Sequence, residues 1–234
     1  MFAEKLNKII FLDIETIPQS ADYKSLSEEM QELWSEKSAK LFQDKDSAES
    51  YGKAGIYAEF GKIICISVGF VYLKNGEKHI RLKSFASDNE KELLTDFAEI
   101  LRQRKTDIFL CGHNIKEFDV PYIARRMLIN GLQLPKTLNI AGKKPWEVNF
   151  IDTLDLWKFG DYKHYTSLKL LTAIFGIPTS KDDIDGSQVA RVYYEEKNLE
   201  RIVTYCQKDV LATAQLFLKI EGETLINPNC IEYV

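Results

Sequence analysis

The chain has 234 residues, of which 45% are hydrophobic and 12% aromatic, so it is long enough to bury one full core. Its net charge of −4 argues against a basic protein that coats nucleic acid with its whole surface. The four cysteines form no Cys-x-x-Cys pair and the three histidines form no ligand cluster in the sequence, which predicts buried, reduced thiols and no structural zinc site.

The first eight residues carry Glu4, Lys5 and Lys8 and lack the apolar stretch of a secretory signal. No window of the sequence approaches the length of an apolar membrane-spanning helix. We therefore expect a cytoplasmic protein without a membrane partner, organised as a single domain over residues 1–234.

The first half of the chain predicts a meander of strands. Residues 9–12 form a short apolar strand, and residues 17–19 break away from it. The polar stretch 25–48 has apolar residues at roughly helical spacing, which predicts one or two surface helices inserted at about residues 20–50. Residues 62–73 and 79–85 are predicted strands joined by a hairpin turn at Asn75-Gly76.

The second half alternates helix and strand and then becomes mostly helical. A helix is predicted to start at residues 87–90, a strand at 107–112, a helix at 119–129 and a short strand at 148–153. Three further helices are predicted at 167–175, 186–195 and 199–220. This order predicts an α/β fold, with an antiparallel meander of strands 1–3, additional parallel strands and helices on both faces of the mixed sheet.

Two carboxylates end the first predicted strand with one apolar residue between them. Because side chains alternate faces along a strand, Asp13 and Glu15 point the same way while Ile14 points into the core. Two like charges this close repel each other, and a cation relieves the repulsion. Taken alone, an Asp-x-Glu pair at a strand end is more often a surface turn.

Two more acidic residues and a tyrosine occupy suitable positions. Asp119 opens a predicted helix, where it can act as an N-cap, and Tyr205 and Asp209 share one face of the last helix. Carboxylate oxygens are the ligands that Mg²⁺ prefers, and a phenol can hydrogen-bond the water that such an ion holds. Together with Asp13 and Glu15, these residues would form a cage for two divalent ions, although each alone also fits a cap or a helix-surface pair.

The cationic residues and tryptophans elsewhere in the chain give weaker indications of nucleic-acid binding. The Trp side chains at positions 34, 146 and 157 can stack on bases, although core packing is the better prediction for Trp157. A region after Gly142 is rich in cations, and it suits a solvated face at least as well as a phosphate track. Those cations are Lys143, Lys144, Lys158, Lys163, His164 and Lys169.

Three other positions are predicted to have structural roles. His113 follows a strand and is interpreted as structural. Asp152 lies near a strand end and is a candidate for supporting the site without ligating metal. Residues 185–187 are predicted to form a turn and a helix cap.

The segments at residues 13–16, 114–119 and 205–209 resemble the three ordered motifs of the DEDD 3′–5′ exonucleases. Tyr205, four residues before Asp209, is typical of the DEDDy branch. Within it the chain is most similar to the stand-alone predicted 3′–5′ exonucleases related to the proofreading domain of family B DNA polymerases. Residues 144–147, 152–157 and 185–187 also resemble that group, and the similarity runs from about residue 8 to 219.

The resemblance implies an RNase H-like fold, two Mg²⁺ or Mn²⁺ ions, and removal of nucleotides from a 3′ end as 5′-monophosphates. It implies that Asp13 bridges both metals and that Glu15 and Asp209 hold the metal that activates the attacking water. Asp119 would serve the second metal, and Tyr205 would orient the nucleophile.

The resemblance also implies that backbone atoms near Thr16, together with Asn114 and Phe118, line the pocket for the 3′-terminal nucleotide. We expect a 3′–5′ exonuclease that acts on single-stranded or frayed DNA ends. Two alternatives stay open: an exoribonuclease with the same mechanism, since nothing in the motifs reads the 2′-hydroxyl, and a non-catalytic nucleic-acid or protein-binding module on the same fold. A proofreading or repair role would need a separate polymerase or repair partner.

Overall fold

A six-stranded mixed sheet is the centre of the fold in the computed structural model, which describes residues 2–103, 108–161, 165–178 and 184–234. The strands within these ranges are β1 (Ile9–Pro18), β2 (Gly61–Lys74), β3 (Glu77–Ala86), β4 (Phe109–Gly112), β5 (Phe150–Asp152) and β6 (Ile231–Tyr233). Their order across the sheet is β5-β4-β1-β2-β3-β6. β1, β2 and β3 pair antiparallel, whereas β4, β5 and β6 join by parallel pairing.

The helices of the described ranges are α1 (Phe2–Leu6), α2 (Glu28–Leu41), α3 (Ser47–Ser50), α4 (Glu90–Gln103), α5 (Asp119–Ile129), α6 (Thr153–Lys158), α7 (Leu168–Ile174), α8 (Val189–Tyr194) and α9 (Leu199–Ile220). None of these described helices combines the length and the apolarity that crossing a membrane requires. Of the predicted strand 107–112, residue 107 lies outside the described residues.

The predicted meander is confirmed, and its tight turn explains the register of β2 and β3. Asn75 and Gly76 both have positive φ angles, 54° and 84°, as a two-residue hairpin turn requires. The pairing then continues without interruption from Lys74 opposite Glu77 to Cys65 opposite Ala86.

Alternating side chains of β1 divide the core between the two faces of the sheet. Ile10, Leu12 and Ile14 pack with residues of α4 and α5 on one face. Ile9 and Phe11 pack on the other face against α9. The prediction of helices on both faces is therefore confirmed, and the face that receives α9 also receives Asp13, because it continues the odd-numbered row.

Pairing partners distant in sequence account for one wrong strand boundary and for one strand that was not predicted. β1 continues to Pro18 instead of ending at residue 12, because β2 pairs along its whole length, with a bulge between Glu15 and Thr16. Pro18 is tolerated where the far side of β1 has no strand partner, since β4 pairs only with residues 9–11. The C-terminal strand β6 was not predicted; three residues are too short a pattern to recognise, and β3 supplies their pairing.

The predicted insertion at residues 20–50 contains α2 and α3, but it is not only a surface feature. Trp34 is fully buried and packs edge-on against Tyr51 and Phe60. Its indole N–H donates to the carbonyl of Ser47 at 2.8 Å, which closes α3 against α2. The insertion therefore shares a small aromatic core with residues 51–60.

The predicted helices of the last third are confirmed with one change. α7 and α9 agree with the predictions, whereas the predicted helix 186–195 is a 3₁₀ turn at Gly186–Gln188 followed by α8. Asp185 accepts from the backbone of Ser187 at 2.8 Å, so residues 185–187 form the expected turn and cap. The long helix α9 packs on β1, β2 and β3, and its Cys206 contacts Asp13 in the middle of β1.

Candidate active site

An open cleft of about 830 Å³ lies over the middle of β1. Its walls come from β1, from the loop after β4, from residues 165–172 and 184–188, and from the middle of α9. Acidic and aromatic side chains from these separate segments converge in it, which makes it the candidate functional site.

The floor of the cleft carries the two carboxylates of β1. Asp13 and Glu15 both line it, and Ile14 between them has its side chain in the core, as the strand alternation predicts. Asp13 is partly exposed to the cleft, whereas Glu15 is only 7% exposed. A carboxylate this deeply buried needs a compensating partner.

Asp119 reaches the same place from the start of α5. It is the first residue of the helix and Phe118 occupies the N-cap position, so the prediction of Asp119 as an N-cap is wrong by one position. Its carboxylate is buried and accepts a hydrogen bond from the backbone N–H of Ile14. That bond is possible because β4 leaves the edge of β1 unpaired beyond Phe11.

The middle of α9 supplies the remaining two predicted residues. Tyr205 and Asp209 are one turn apart, both line the cleft, and the Tyr205 hydroxyl donates a hydrogen bond to Asp209. Burial, and then the charges of Asp209 and Glu15, raise the pKa of the Tyr205 phenol far above its usual value. The phenol is therefore neutral and keeps its proton at any working pH.

Burial, and for Asp13 and Glu15 also repulsion by neighbouring carboxylates, disfavours the charged form of these acids. Burial, followed by the charges of Asp119 and Asp209, raises the pKa of Asp13 well above its ordinary value. Burial and the charge of Asp13 do the same to the pKa of Glu15. Burial raises the pKa of Asp119 to about 7. Such mutual destabilisation of charge is typical of functional sites.

Cys206 is a member of the site that the sequence did not reveal. Its thiol donates to Oδ2 of Asp13 at 3.4 Å and to the carbonyl oxygen of Asp13 at 3.5 Å. Burial raises the pKa of this thiol well above its usual value. Cys206 therefore acts as a neutral donor, and all four cysteines are buried free thiols, as predicted.

Asp152 holds the loop after β4 in place. Its Oδ1 accepts from the backbone N–H of Asn114 at 2.9 Å and of Leu154 at 3.0 Å, and its Oδ2 accepts from that of Lys116 at 3.1 Å. Asn114 has a positive φ of 65°, a backbone conformation that asparagine tolerates better than most residues. By accepting three backbone hydrogen bonds, Asp152 at the end of β5 supports the loop that carries Asn114.

His113 is structural, as interpreted from the sequence. Burial lowers its pKa, so the ring is neutral. Its Nε2 donates to the carbonyl of Thr166 at 2.8 Å and its Nδ1 lies 2.9 Å from the hydroxyl of Thr153. These bonds fix the segment that carries Tyr165, which is 66% exposed and stands edge-on to the imidazole.

The predicted nucleotide-pocket residues occupy different positions. Asn114 and Phe118 line the cleft, and Phe118 packs against Tyr122 at a ring distance of 5.5 Å. The side chain of Thr16 instead hydrogen-bonds the Tyr122 hydroxyl, which in turn donates to the carbonyl of Gly55 at 2.7 Å. Thr16 thus ties β1 to α5.

The cationic residues and tryptophans named in the sequence analysis lie at separate places in the fold. Lys169 lines the cleft, and Lys158 is paired with Asp155 at 3.4 Å. Residues 163 and 164 of the cation-rich region lie outside the described residues. Trp34 is buried and Trp157 packs against Phe175, whereas Trp146 is 76% exposed.

The cleft walls also contain residues that the sequence gave no reason to select. Tyr165 and Gln188 line the cleft from the helical third of the chain. Neither belongs to a motif, and the packing of α7 and α8 beside α9 brings them to the site.

The donor set fits hard divalent cations. The Asp13, Glu15 and Cys206 ligand atoms lie within 4.8 Å of one another, and the charges of Asp119 and Asp209 act directly on Asp13. Because Cys206 keeps its proton, the donors available to a cation are carboxylate oxygens, which suit Mg²⁺ or Mn²⁺.

A family model described as a predicted 3′–5′ exonuclease related to the exonuclease domain of PolB matches residues 56–224. The matched segment contains Asp119, Tyr205 and Asp209, whereas Asp13 and Glu15 precede it. Their position beside the matched residues follows from the pairing of β1 with β2 and does not depend on the family match.

Curated relatives and solved structures show further similarity. A DNA polymerase of Pyrococcus glycovorans is 25% identical over 55% of this chain and 18% of its own length. The DNA-directed DNA polymerase of Escherichia phage RB69 is 28% identical over 56% of this chain, so the chain spans only 16% of that polymerase. The RNase domain of the yeast Pop2 protein, 12% identical, aligns over 97% of this chain and 81% of its own with a TM-score of 0.42.

Proposed function

Because the chain belongs to the family of predicted 3′–5′ exonucleases related to the exonuclease domain of PolB, we propose that it removes nucleotides from the 3′ end of single-stranded or frayed DNA. The observation that carries the proposal is the convergence of Asp13 and Glu15, which lie before the family-matched segment, with Asp119, Tyr205 and Asp209. Glu15 and Asp119 are buried and Asp13 and Asp209 are half-buried, an arrangement that chance placement of surface acids does not produce.

The same four carboxylates are the proposed metal ligands. Asp13, Glu15, Asp119 and Asp209 would hold two Mg²⁺ or Mn²⁺ ions, which when bound would lower the pKa of water and stabilise negative charge on the phosphate. The pKa values of Asp13 and Glu15, raised by burial and then by neighbouring carboxylates, support this assignment, because bound cations would offset both effects.

Tyr205 is proposed to position the attacking water. Its hydroxyl is anchored by Asp209 and stays neutral, so it offers a fixed hydrogen-bond partner without taking up a proton. Attack of water on the 5′-phosphorus of the terminal nucleotide breaks its bond to O3′ of the penultimate nucleotide, and that O3′ leaves with a proton taken from solvent. The products are a nucleoside 5′-monophosphate and a shortened strand with a new 3′-hydroxyl.

The aromatic wall of the cleft is proposed to receive the terminal base. Phe118 lines it from the start of α5 and Tyr165 from the segment before α7, and an unpaired base can stack on either ring. Asn114, held by Asp152, and the backbone near Thr16 would complete the nucleotide pocket. Stacking needs an unpaired base, which supports a single-stranded or frayed end as the substrate.

The experiment that tests the proposal compares matched substrates. Single-stranded DNA, duplex DNA and RNA of one sequence, each labelled at its 5′ end, are incubated with the chain and Mg²⁺ or Mn²⁺. Stepwise shortening that is fastest on single-stranded DNA is expected. Faster shortening of RNA would identify an exoribonuclease, and intact strands of all three kinds would favour a binding module on the same fold.

A further inference from the structure

The C-terminal edge of the sheet brings together three side chains with different ligand atoms. β6 pairs parallel with β3 in a register that sets Ile231 beside Ile80, so Cys230 and His79 are neighbours one step earlier. Glu77 lies two residues before His79 and therefore on the same face of β3. The ligand atoms of Glu77, His79 and Cys230 all lie within 4.8 Å of one another.

This arrangement corrects the expectation that the histidines and cysteines form no ligand cluster. His79 and Cys230 are far apart in the sequence, and the unpredicted strand β6 is what makes them neighbours. The spacing rules for zinc motifs depend on closely spaced residues, so they could not detect a site that sheet pairing assembles.

The His79 ring has an unsatisfied polar atom. Its Nδ1 is the one buried side-chain nitrogen or oxygen in the described part of the chain that has no hydrogen-bond partner. Nearby charged groups are engaged elsewhere: Glu232 binds Arg81 and Tyr72, and Lys78 binds Glu223. A buried polar atom without a partner costs stability and requires an explanation.

We propose that Glu77, His79 and Cys230 bind one Zn²⁺ ion. Imidazole nitrogen, cysteine sulfur and carboxylate oxygen are the ligand atoms that zinc takes, and three protein ligands leave the fourth tetrahedral position for water. Cysteine binds zinc as the thiolate, so its proton leaves to solvent on binding. Mg²⁺ and Ca²⁺ are disfavoured because two of the three donors are not oxygen.

The site is separate from the catalytic cleft. Asp13 stands opposite Ser67 of β2, which stands opposite Ser84 of β3. His79 lies five residues before Ser84, which is about 17 Å along the strand at roughly 3.4 Å per residue. A zinc ion here would not contact the cleft carboxylates, so this inference does not depend on the proposed nuclease activity.

The bound ion would fasten a short edge strand. β6 has only three residues and pairs with one neighbour, β3. Glu77 and His79 lie on β3, and Cys230 immediately precedes β6, so the ion would join the two strands at the start of their pairing. The expected consequence is a more stable C-terminal edge, which stays attached to the sheet.

The test uses zinc alone and a chain whose cleft cannot compete for it. The Asp13→Asn/Asp209→Asn variant is stripped with a chelator, mixed with one equivalent of Zn²⁺ and desalted, and its bound zinc is measured by mass spectrometry. One zinc per chain is expected, together with a rise of several degrees in Tm. Co²⁺ in place of zinc should give a thiolate-to-cobalt charge-transfer band.

Further substitutions in the same background decide which residues bind. His79→Phe and Cys230→Ala should weaken zinc binding by at least about 10-fold, the loss that even a group supporting a metal ligand causes. Cys111→Ala, a buried cysteine outside the cluster, is the matched control and should retain the zinc and the cobalt band. Glu77→Gln alters an exposed residue, so it tests the site even if Cys230→Ala does not fold. Absence of zinc from the parent, or zinc retained by His79→Phe and Glu77→Gln, would overturn the proposal.

Discussion

The thiol of Cys206 on α9 donates a hydrogen bond to the Oδ2 of Asp13 on β1, at a sulfur–oxygen distance of 3.4 Å. The same thiol faces the backbone carbonyl of Asp13 at 3.5 Å, so both the side chain and the strand are held. This contact joins the two elements that carry Glu15 and Asp209. The carboxylates are therefore held close together by the protein itself, at the cost of mutual repulsion in the metal-free chain.

Asp13→Asn is expected to stabilise the metal-free chain while abolishing its response to metal. The amide removes one of the repelling charges, and the usual gain from a stabilising substitution is about 0.5–2 kcal/mol. Mg²⁺ or Mn²⁺ should raise the Tm of the natural chain and leave that of the variant unchanged. Thermal unfolding with and without metal measures both effects. Asp96→Asn, an exposed acid on α4, is the control, and equal responses in all three chains would contradict the prediction.

The metal-free chain is expected to lose stability as the pH rises from about 4 to about 7. Burial raises the pKa of Asp119 from 3.8 to about 7, so in this range the folded chain binds more protons than the unfolded chain. The free energy of unfolding then falls with pH, because stability rises only where the unfolded state binds more protons. Denaturant unfolding in a chelator at several pH values measures this slope. Asp119→Asn should reduce it; an unchanged slope in that variant would contradict the assignment.

Two substitutions of Asp152 test whether its carboxylate holds the loop after β4 in place. Asp152→Ala leaves the N–H groups of Asn114, Lys116 and Leu154 without their acceptor, and a loss of about 2–3 kcal/mol in the free energy of unfolding is expected. Asp152→Asn keeps one oxygen and should cost less. Both variants should bind metal as the natural chain does, which the metal-induced rise in Tm measures. A loss of that rise in Asp152→Asn would indicate that Asp152 is a ligand.

The buried Glu90–Arg126 pair is expected to anchor α5, the helix that begins with Asp119. Glu90 accepts from Arg126 at both oxygens and from the backbone of Ile63 at 2.7 Å, and Arg126 donates to the carbonyl of Ala58 at 2.8 Å. Arg126→Ala leaves a buried carboxylate unpaired, and about 3–5 kcal/mol of stability should be lost.

The comparison for that prediction is an exposed pair of the same residue types. Arg191 pairs with Glu196, and 46% of the Arg191 side chain is exposed. Arg191→Ala should cost less than about 1 kcal/mol, because solvent screens exposed pairs. Equal losses in the two arginine variants, measured by denaturant unfolding, would show that the Glu90–Arg126 pair has no special anchoring role.

Local patterns in the sequence predict much of the fold. The alternation in β1, the Asn75-Gly76 turn and the helical stripe of α9 are each encoded within a few neighbouring residues, and the start of β1, the turn and α9 agree with the predictions. The same alternation predicted that Asp13 and Glu15 face one way.

Features that depend on distant partners were not predictable in the same way. β1 continues to Pro18 because β2 pairs with it, and β6 exists because β3 offers an edge. Cys206 resembles any buried helix residue in the sequence, and only the packing of α9 on β1 shows that its thiol faces Asp13. The boundary at Phe118 also depends on tertiary contact, since Asp119 is turned toward Ile14 instead of capping its helix.

The most direct measurement of the central claim is strand shortening by the natural chain and two variants. Single-stranded DNA labelled at its 5′ end is incubated with each chain and Mg²⁺ or Mn²⁺, and the products are separated by length. The natural chain should give a stepwise ladder, and Asp13→Asn should slow it by more than about 100-fold, since loss of even a group that supports a ligand costs 10–100-fold. Tyr205→Phe should slow the ladder while keeping the metal-induced rise in Tm. An undiminished ladder from Asp13→Asn, or no ladder from the folded, metal-loaded natural chain, would contradict the account.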